Sequence, residues 1–143
     1  MISDEMKTLL NEARTGDPKA QYNLAVHYAL GEELEQDLQK ARYWYQRAAD
    51  SDFAPGWYGL GYMHKAGEGG PVDYTQAISC FQKAAEGDFA HAQFVLALAL
   101  EDDRHTPQDM EKALYWYRSA AAQREGKSAA SRENGTRTRT IRL

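Results

Sequence analysis

The run Asp37-Leu-Gln-Lys-Ala-Arg-Tyr-Trp-Tyr-Gln-Arg-Ala-Ala49 returns in outline as Asp73 to Ala85 and again as Asp109 to Ala121. Ala41, Ala77 and Ala113 stand 36 residues apart, and the pairs Ala48-Ala49, Ala84-Ala85 and Ala120-Ala121 keep the same step. A period of this length predicts a stacked repeat array rather than a closed globule. Within each copy the apolar side chains fall at i, i+3, i+4 and i+7: Ala41, Trp44, Tyr45, Ala48; Ala77, Cys80, Phe81, Ala84; Ala113, Trp116, Tyr117, Ala120. That spacing lays them on one face of an α-helix.

The rest of the chain supplies the other half of each unit. A first helix precedes each copy, with Ala20, Leu24, Ala25 and Tyr28; Gly56, Leu60, Gly61 and His64; Ala92, Leu96, Ala97 and Leu100 in register. Small residues at the first and third places let neighbouring helices approach closely, and the leucines fill the space between the paired helices. Loops of differing sequence join the two helices, over 31–36, 67–72 and 103–108, and an aspartate then stands where an N-cap belongs: Asp37, Asp73 or Asp109. Gln76 adds a capping box in the second copy alone. Gly87 is placed for a left-handed C-cap, with Asp88 as the cap of the next first helix and Phe53 and Phe89 anchoring the turns.

Residues 3–14, opened by Ser3 or Asp4, read as a half repeat that covers the exposed side of the first full one. The expected fold is therefore all-α: an α/α solenoid of three 36-residue helix-turn-helix repeats, about 18–53, 54–89 and 90–123, behind an N-terminal cap helix. These make one domain over 1–123. Residues 124–143 hold few sizeable apolar groups and read as a basic, disordered tail, or as an arm for an acidic partner. Asn134-Gly-Thr136 matches a glycosylation sequon, which matters only in an exported protein.

Charge and cysteine usage narrow the function classes. Residues 1–123 carry 11 basic and 19 acidic side chains, net −8, whereas 124–143 carry six and two, net +4. An acidic body argues against a nucleic-acid groove. No stretch approaches the length of a membrane span, and no basic start followed by an apolar run marks an export signal. Cys80 is the only cysteine, so a disulfide-stapled scaffold is excluded and the expected compartment is the cytoplasm.

The pattern Ala…Leu-Gly…Tyr, a glycine-bearing loop, an aspartate, and then Lys-Ala…Trp-Tyr…Ala-Ala-Glu-Gly-Asp resembles the Sel-1-like repeat family, relatives of the tetratricopeptide repeats. The resemblance covers residues 18–122, and its fullest copy runs from Leu60-Gly61 to Ala84-Ala85-Glu86-Gly87. His64 and Leu100 depart from the usual Tyr, and the loop Asp103-Arg-His-Thr-Pro107 lacks glycine. The resemblance implies a right-handed α-superhelix that holds other proteins or peptides as an adaptor, with no catalytic residues. It also implies that the first helices line the concave face.

On that orientation the side chains two before, two after and five after each leucine turn toward the groove. They are Tyr22, Val26 and Ala29; Tyr58, Tyr62 and Lys65; Phe94, Leu98 and Glu101. An aromatic cluster with single charges has the make-up of an interface hot spot. Tyr22, Tyr58 and Phe94 recur at one repeat position, so packing between neighbouring first helices competes with a binding role; Tyr62 and Lys65 differ from their siblings and carry the better case.

The sequence assigns no catalytic residue, cofactor or metal. His27, His64, His91 and His105 occupy four different repeat positions without the i+3 or i+4 partner of a metal pair, and Glu101-Asp102-Asp103 lacks the spacing of a calcium loop. Cys80 takes the place of a core tryptophan and reads as a buried thiol. The expected function is a non-catalytic protein-protein interaction module for a protein or peptide, with a basic surface suiting its charge. A narrower alternative is an immunity protein that neutralises a secreted antibacterial toxin. An enzyme that binds or hydrolyses β-lactams is the alternative of another class, disfavoured because that cysteine-rich branch of the family uses a cysteine pair per repeat. The third repeat has no evident cap after it, which leaves a homodimer through that repeat open.

Overall fold

The computed structural model describes the backbone of residues 1–142 and the side chains of residues 1–126. Its elements are α1 (Asp4–Arg14), α2 (Pro18–Leu30), α3 (Leu38–Asp50), α4 (Ala54–Ala66), α5 (Tyr74–Glu86), α6 (Ala90–Glu101) and α7 (Met110–Arg142), with no strand among the described residues. α1 is the half repeat; α2/α3, α4/α5 and α6/α7 are the three helix pairs, and each helix packs on the next along the chain. α7 continues beyond residue 123 without a break in the backbone. The tail expected over 124–143 lies, past Gly126, outside the residues whose side chains are described. No described helix is long and apolar enough to cross a membrane.

Three clusters of buried side chains follow one another along the stack, as expected of an array in which each unit touches only its neighbours. Leu24, Leu60 and Leu96 are at most 2% exposed. The small residues serve two different contacts. A Cβ added to Gly56 would lie 2.9 Å from Ala48 Cβ in the preceding second helix, and one added to Gly61 would lie 2.8 Å from Phe81 Cε1 in the second helix of its own repeat.

The helix starts follow the predicted chemistry. Ser3 accepts from the N–H of Met6, and Asp37, Asp73 and Asp109 each accept from the N–H three residues on, at 3.0, 3.0 and 3.1 Å. Every loop is then closed by the same bond, because the N–H groups of Asp37, Asp73 and Asp109 donate at 2.9 Å to the carbonyls of Tyr28, His64 and Leu100. This bond explains why the capping box expected of Gln76 is only half made: the Asp73 N–H that its side chain would have accepted from is already engaged.

The turns between repeats differ from the sequence expectation. Gly87 has φ −85 and is not left-handed; Asp52 and Asp88 take that role, with φ 56 and 63. Their N–H groups donate to Ala49 and Ala85, while Phe53 and Phe89 donate to Ala48 and Ala84. This is the paired bonding of a Schellman turn, in which the left-handed residue follows the C-cap. Asp88 therefore ends α5 rather than capping α6, and Phe53 and Phe89 occupy the N-cap positions with no side-chain hydrogen bond.

One polar side chain ties the first two repeats together. Arg42 of α3 donates from Nε to the Glu68 carbonyl at 3.1 Å and from Nη2 to the Met63 carbonyl at 3.2 Å, satisfying acceptors at the C-terminal end of α4. Its Nη1 faces His64 Nδ1 at 3.4 Å. Burial, and then the Arg42 guanidinium, hold the His64 pKa below the usual histidine value against an opposing pull from Asp73.

Two outcomes are expected. Asp88→Gly removes the left-handed strain on an L-residue and raises stability by about 0.5–1 kcal/mol, read as a higher urea midpoint at unchanged slope; a lower midpoint would contradict the turn assignment. A depressed histidine contributes stability that is complete above about pH 6.5 and is lost as pH falls through its folded-state value. The stability of the wild type relative to His64→Tyr should therefore decline between pH 7.5 and 5, and a constant difference across that range would show that the site does not depress the histidine.

Candidate functional site

The side chains assigned to the first-helix face separate into two rows. In the first row Tyr22 lies 5.7 Å from Tyr45 and 5.9 Å from Phe53, ring centre to ring centre. Tyr58 repeats this against Phe81 at 5.7 Å and Phe89 at 5.2 Å. Each ring is thus gripped between the second-helix aromatic of its own repeat and the turn phenylalanine that opens the next one. Tyr22 and Tyr58 are half-buried by this arrangement, which includes contact with the neighbouring first helix, since Phe53 and Phe89 stand at the N-caps of α4 and α6 and Tyr58 also meets His91 of α6 at 6.4 Å. Phe94 meets Tyr117 at 5.7 Å but has no turn phenylalanine, since Glu125 stands 36 residues after Phe89; Phe94 is 48% exposed.

The second row is Val26, Tyr62 and Leu98. Val26 is half-buried, whereas Tyr62 is 52% and Leu98 47% exposed, comparable to Tyr43, Leu114 and Tyr115 on the second helices. Ala29 is half-buried, and Lys65 and Glu101 are exposed beside this row. The Tyr117 hydroxyl donates to Glu101 Oε2 at 2.6 Å, which pushes the phenol pKa up to about 12 and holds the Glu101 carboxylate at the edge of α7.

A cleft of about 290 Å³ opens next to Leu98. Phe81, Ile78 and Val95 give it an apolar floor, and Lys65, Tyr74 and the loop after α6 form its rim. In that loop Asp102 pairs with Arg104 at 2.6 Å, and the hydrogen bonds from Arg104 lower the Asp102 pKa. His105 stacks on Tyr74 with ring centres 3.8 Å apart and planes 9° from parallel. The glycine-free loop is thereby shaped by a side-chain stack across to α5 rather than by backbone freedom.

These contacts disperse the acidic run of 101–103, with Glu101 bound to Tyr117 and Asp102 to Arg104. Among the described residues no group of three His, Cys, Asp or Glu side chains is gathered as a metal site. Cys80 is 3% exposed and burial pushes its thiol up to about 11, so at neutral pH it is a protonated core group. The arrangement is suited to apolar and aromatic contact with a few peripheral charges.

Sequence reasoning missed the buried amides. Gln21 and Gln93 are both 2% exposed, and each donates Nε2 at 3.1 Å to a carbonyl of the preceding second helix, Ala13 or Ala85. The equivalent place in the second repeat is Trp57, whose ring carries Lys83 Nζ at 4.2 Å from its centre. Glutamine recurs in only two copies, so the repeat comparison did not flag it. Arg42 was missed for the same reason: its siblings are Ile78 and Leu114.

The architecture has close counterparts. The protein-family model for the Sel1 repeat matches residues 18–53, 58–89 and 90–124. A Sel1 repeat protein from Oxalobacter formigenes superposes with a TM-score of 0.78 at 34% identity, covering 85% of this chain and 91% of that one. The c5321 protein, described as a protective antigen of uropathogenic Escherichia coli strains with an SLR fold, gives 0.78 at 35% identity over 82% of this chain and 25% of its own length. Cysteine-rich protein B of Helicobacter pylori gives 0.62 at 26% identity over 66% and 73%. No curated protein matches the sequence. With three helix pairs at a 36-residue step, all three matched by one repeat model, the chain belongs to the Sel1 repeat family.

Proposed function

We propose that the chain is a non-catalytic adaptor that holds a protein or peptide on the face of its first helices, with Tyr62, Lys65 and Leu98 at the centre. Sel1 repeats generally mediate protein-protein interaction. The observation that favours this face is the contrast between its two rows: Tyr22 and Tyr58 spend their rings on internal contacts, whereas the side chains of Tyr62 and Leu98 are exposed, with Leu98 and Lys65 lining an apolar cleft. An exposed apolar side chain next to a hollow it does not fill, with an exposed aromatic in the same row, is the arrangement from which interface anchors are built. Val26 extends the row toward the first repeat, and Phe94 and Glu101 border it toward the third.

The net charge of −8 over residues 1–123 favours a basic partner surface and faster encounter with it. It also supports the narrower reading of an immunity protein for a basic secreted toxin, which would be met in the cytoplasm of the producing cell. A cognate basic toxin encoded beside the gene would favour that reading; purification of an unrelated partner from the source cell would remove it. The β-lactam reading rests on paired cysteines, and Cys80 has no partner in this sequence. Nitrocefin turnover above that of a Cys80→Ala control would revive it.

The test is a double substitution. Tyr62→Ala with Lys65→Ala should weaken binding of the partner recovered by affinity purification at least tenfold, about 1.4 kcal/mol. Both side chains are exposed, so helicity by circular dichroism should be unchanged. Full affinity in the folded double variant would place the site on another face.

A further inference from the structure

Each internal second helix ends in a pair of alanines that the following first helix covers. Ala48, Ala49, Ala84 and Ala85 are all 0% exposed, the first pair under Gly56 of the next helix and the second in one buried cluster with Ala92. In α7 the equivalent Ala120 is half-buried and Ala121 exposed, and a hollow of about 550 Å³ opens over them, bounded by His91, Phe94 and Tyr117. The second-helix aromatics tell the same story. Tyr45 lies against Gly59, where an added Cβ would come within 2.5 Å of its ring, and Phe81 packs in the cluster that Val95 joins. Tyr117 stands at the same place with no helix beyond it among the described residues, and it turns its hydroxyl to Glu101 instead.

We propose that this seat takes one α-helix from a partner polypeptide, and that the two filled seats of the chain define its chemistry. Their occupants read Phe53-Ala-Pro-Gly56 followed by Gly59-Leu60, and Phe89-Ala-His-Ala92 followed by Val95-Leu96. The partner helix therefore opens with an aromatic residue that meets Phe94, carries Gly or Ala three residues later over Ala120-Ala121, and presents a small or β-branched residue followed by leucine to Tyr117. At the place over the alanine pair a residue larger than alanine meets second-helix backbone, since even a Cβ on Gly56 would lie 2.9 Å from Ala49 N at the first seat, and Ala92 is fully buried at the second. Among the described residues a second copy of this chain has no such helix to give, because Leu24, Leu60 and Leu96 are already buried inside its own stack. This seat lies at the end of the array, apart from the Tyr62 and Leu98 row.

The test uses the full chain and a labelled peptide copying Asp88–Glu101, followed by fluorescence anisotropy. Saturable binding is expected, weakened at least tenfold by Ala121→Arg, whose side chain faces solvent in the free protein, and also by Ala→Gln at the residue corresponding to Ala92 in the peptide. The Tyr62→Ala, Lys65→Ala protein should bind the peptide unchanged, which separates this seat from the first-helix face. Binding that ignores Ala121→Arg, or no saturable binding, overturns the proposal. A dimer by sedimentation velocity that Ala121→Arg dissolves would assign the seat to a second copy instead. An Ala121→Cys thiol that a maleimide cannot reach in the monomer would assign it to the chain's own residues.

Discussion

The stack depends on how closely one repeat can approach the next, and that distance is set by alanine pairs. Ala48-Ala49 and Ala84-Ala85 present almost nothing but backbone and methyl groups to the following first helix, which answers with Gly56 or Ala92. Small residues facing each other allow helix axes to come together more tightly than leucine or phenylalanine would. Larger side chains then work sideways: Leu24, Leu60 and Leu96 fill the space within each pair, and Tyr45 and Phe81 reach past the seam to the next unit. Stability is therefore a chain of neighbour contacts, and the array is least complete at its ends.

The two ends are finished differently. α1 covers the first repeat with Met6 and Ala13 buried, and its Ser3 hydroxyl donates to Glu33 Oε2 at 2.7 Å, joining it to the first loop. Gln21 locks the seam by donating to the Ala13 carbonyl. At the other end Gln93 makes the same bond to Ala85 and is met by Gln123 at 3.0 Å, but the turn that should follow is missing. In place of the left-handed aspartate and phenylalanine of the earlier turns stand Arg124 and Glu125, both good helix formers, and α7 runs on. A local substitution of turn residues thus leaves Phe94, Tyr117 and the last alanine pair with no following helix over them among the described residues.

The separation of structural from available aromatics follows from the same geometry. A side chain two residues before the core leucine points toward the turn of the next repeat and is captured there by Phe53 or Phe89. One two residues after it points away from that turn, so Tyr62 and Leu98 have no internal partner of that kind. The cleft beside Leu98 exists because Ile78 and Val95 bound a gap that Tyr74 and His105 close only at its rim.

Much of this was legible in the sequence, because a pattern repeated three times carries its own alignment. The period, the helix pairs, the aspartate N-caps and the core leucines all follow from residues that recur, and each depends on spacing along one helix. What only the tertiary structure decided lies between elements. Asp88 reads as an N-cap from its neighbours, yet the bonds of Phe89 and Asp88 back to Ala84 and Ala85 make it the left-handed end of α5. Arg42, Gln21 and Gln93 look like surface residues until the carbonyls they serve are supplied by another helix. Periodicity reports which face of a helix is apolar; which polar group is buried, and which aromatic is left free, depends on what the neighbouring repeat brings to meet it.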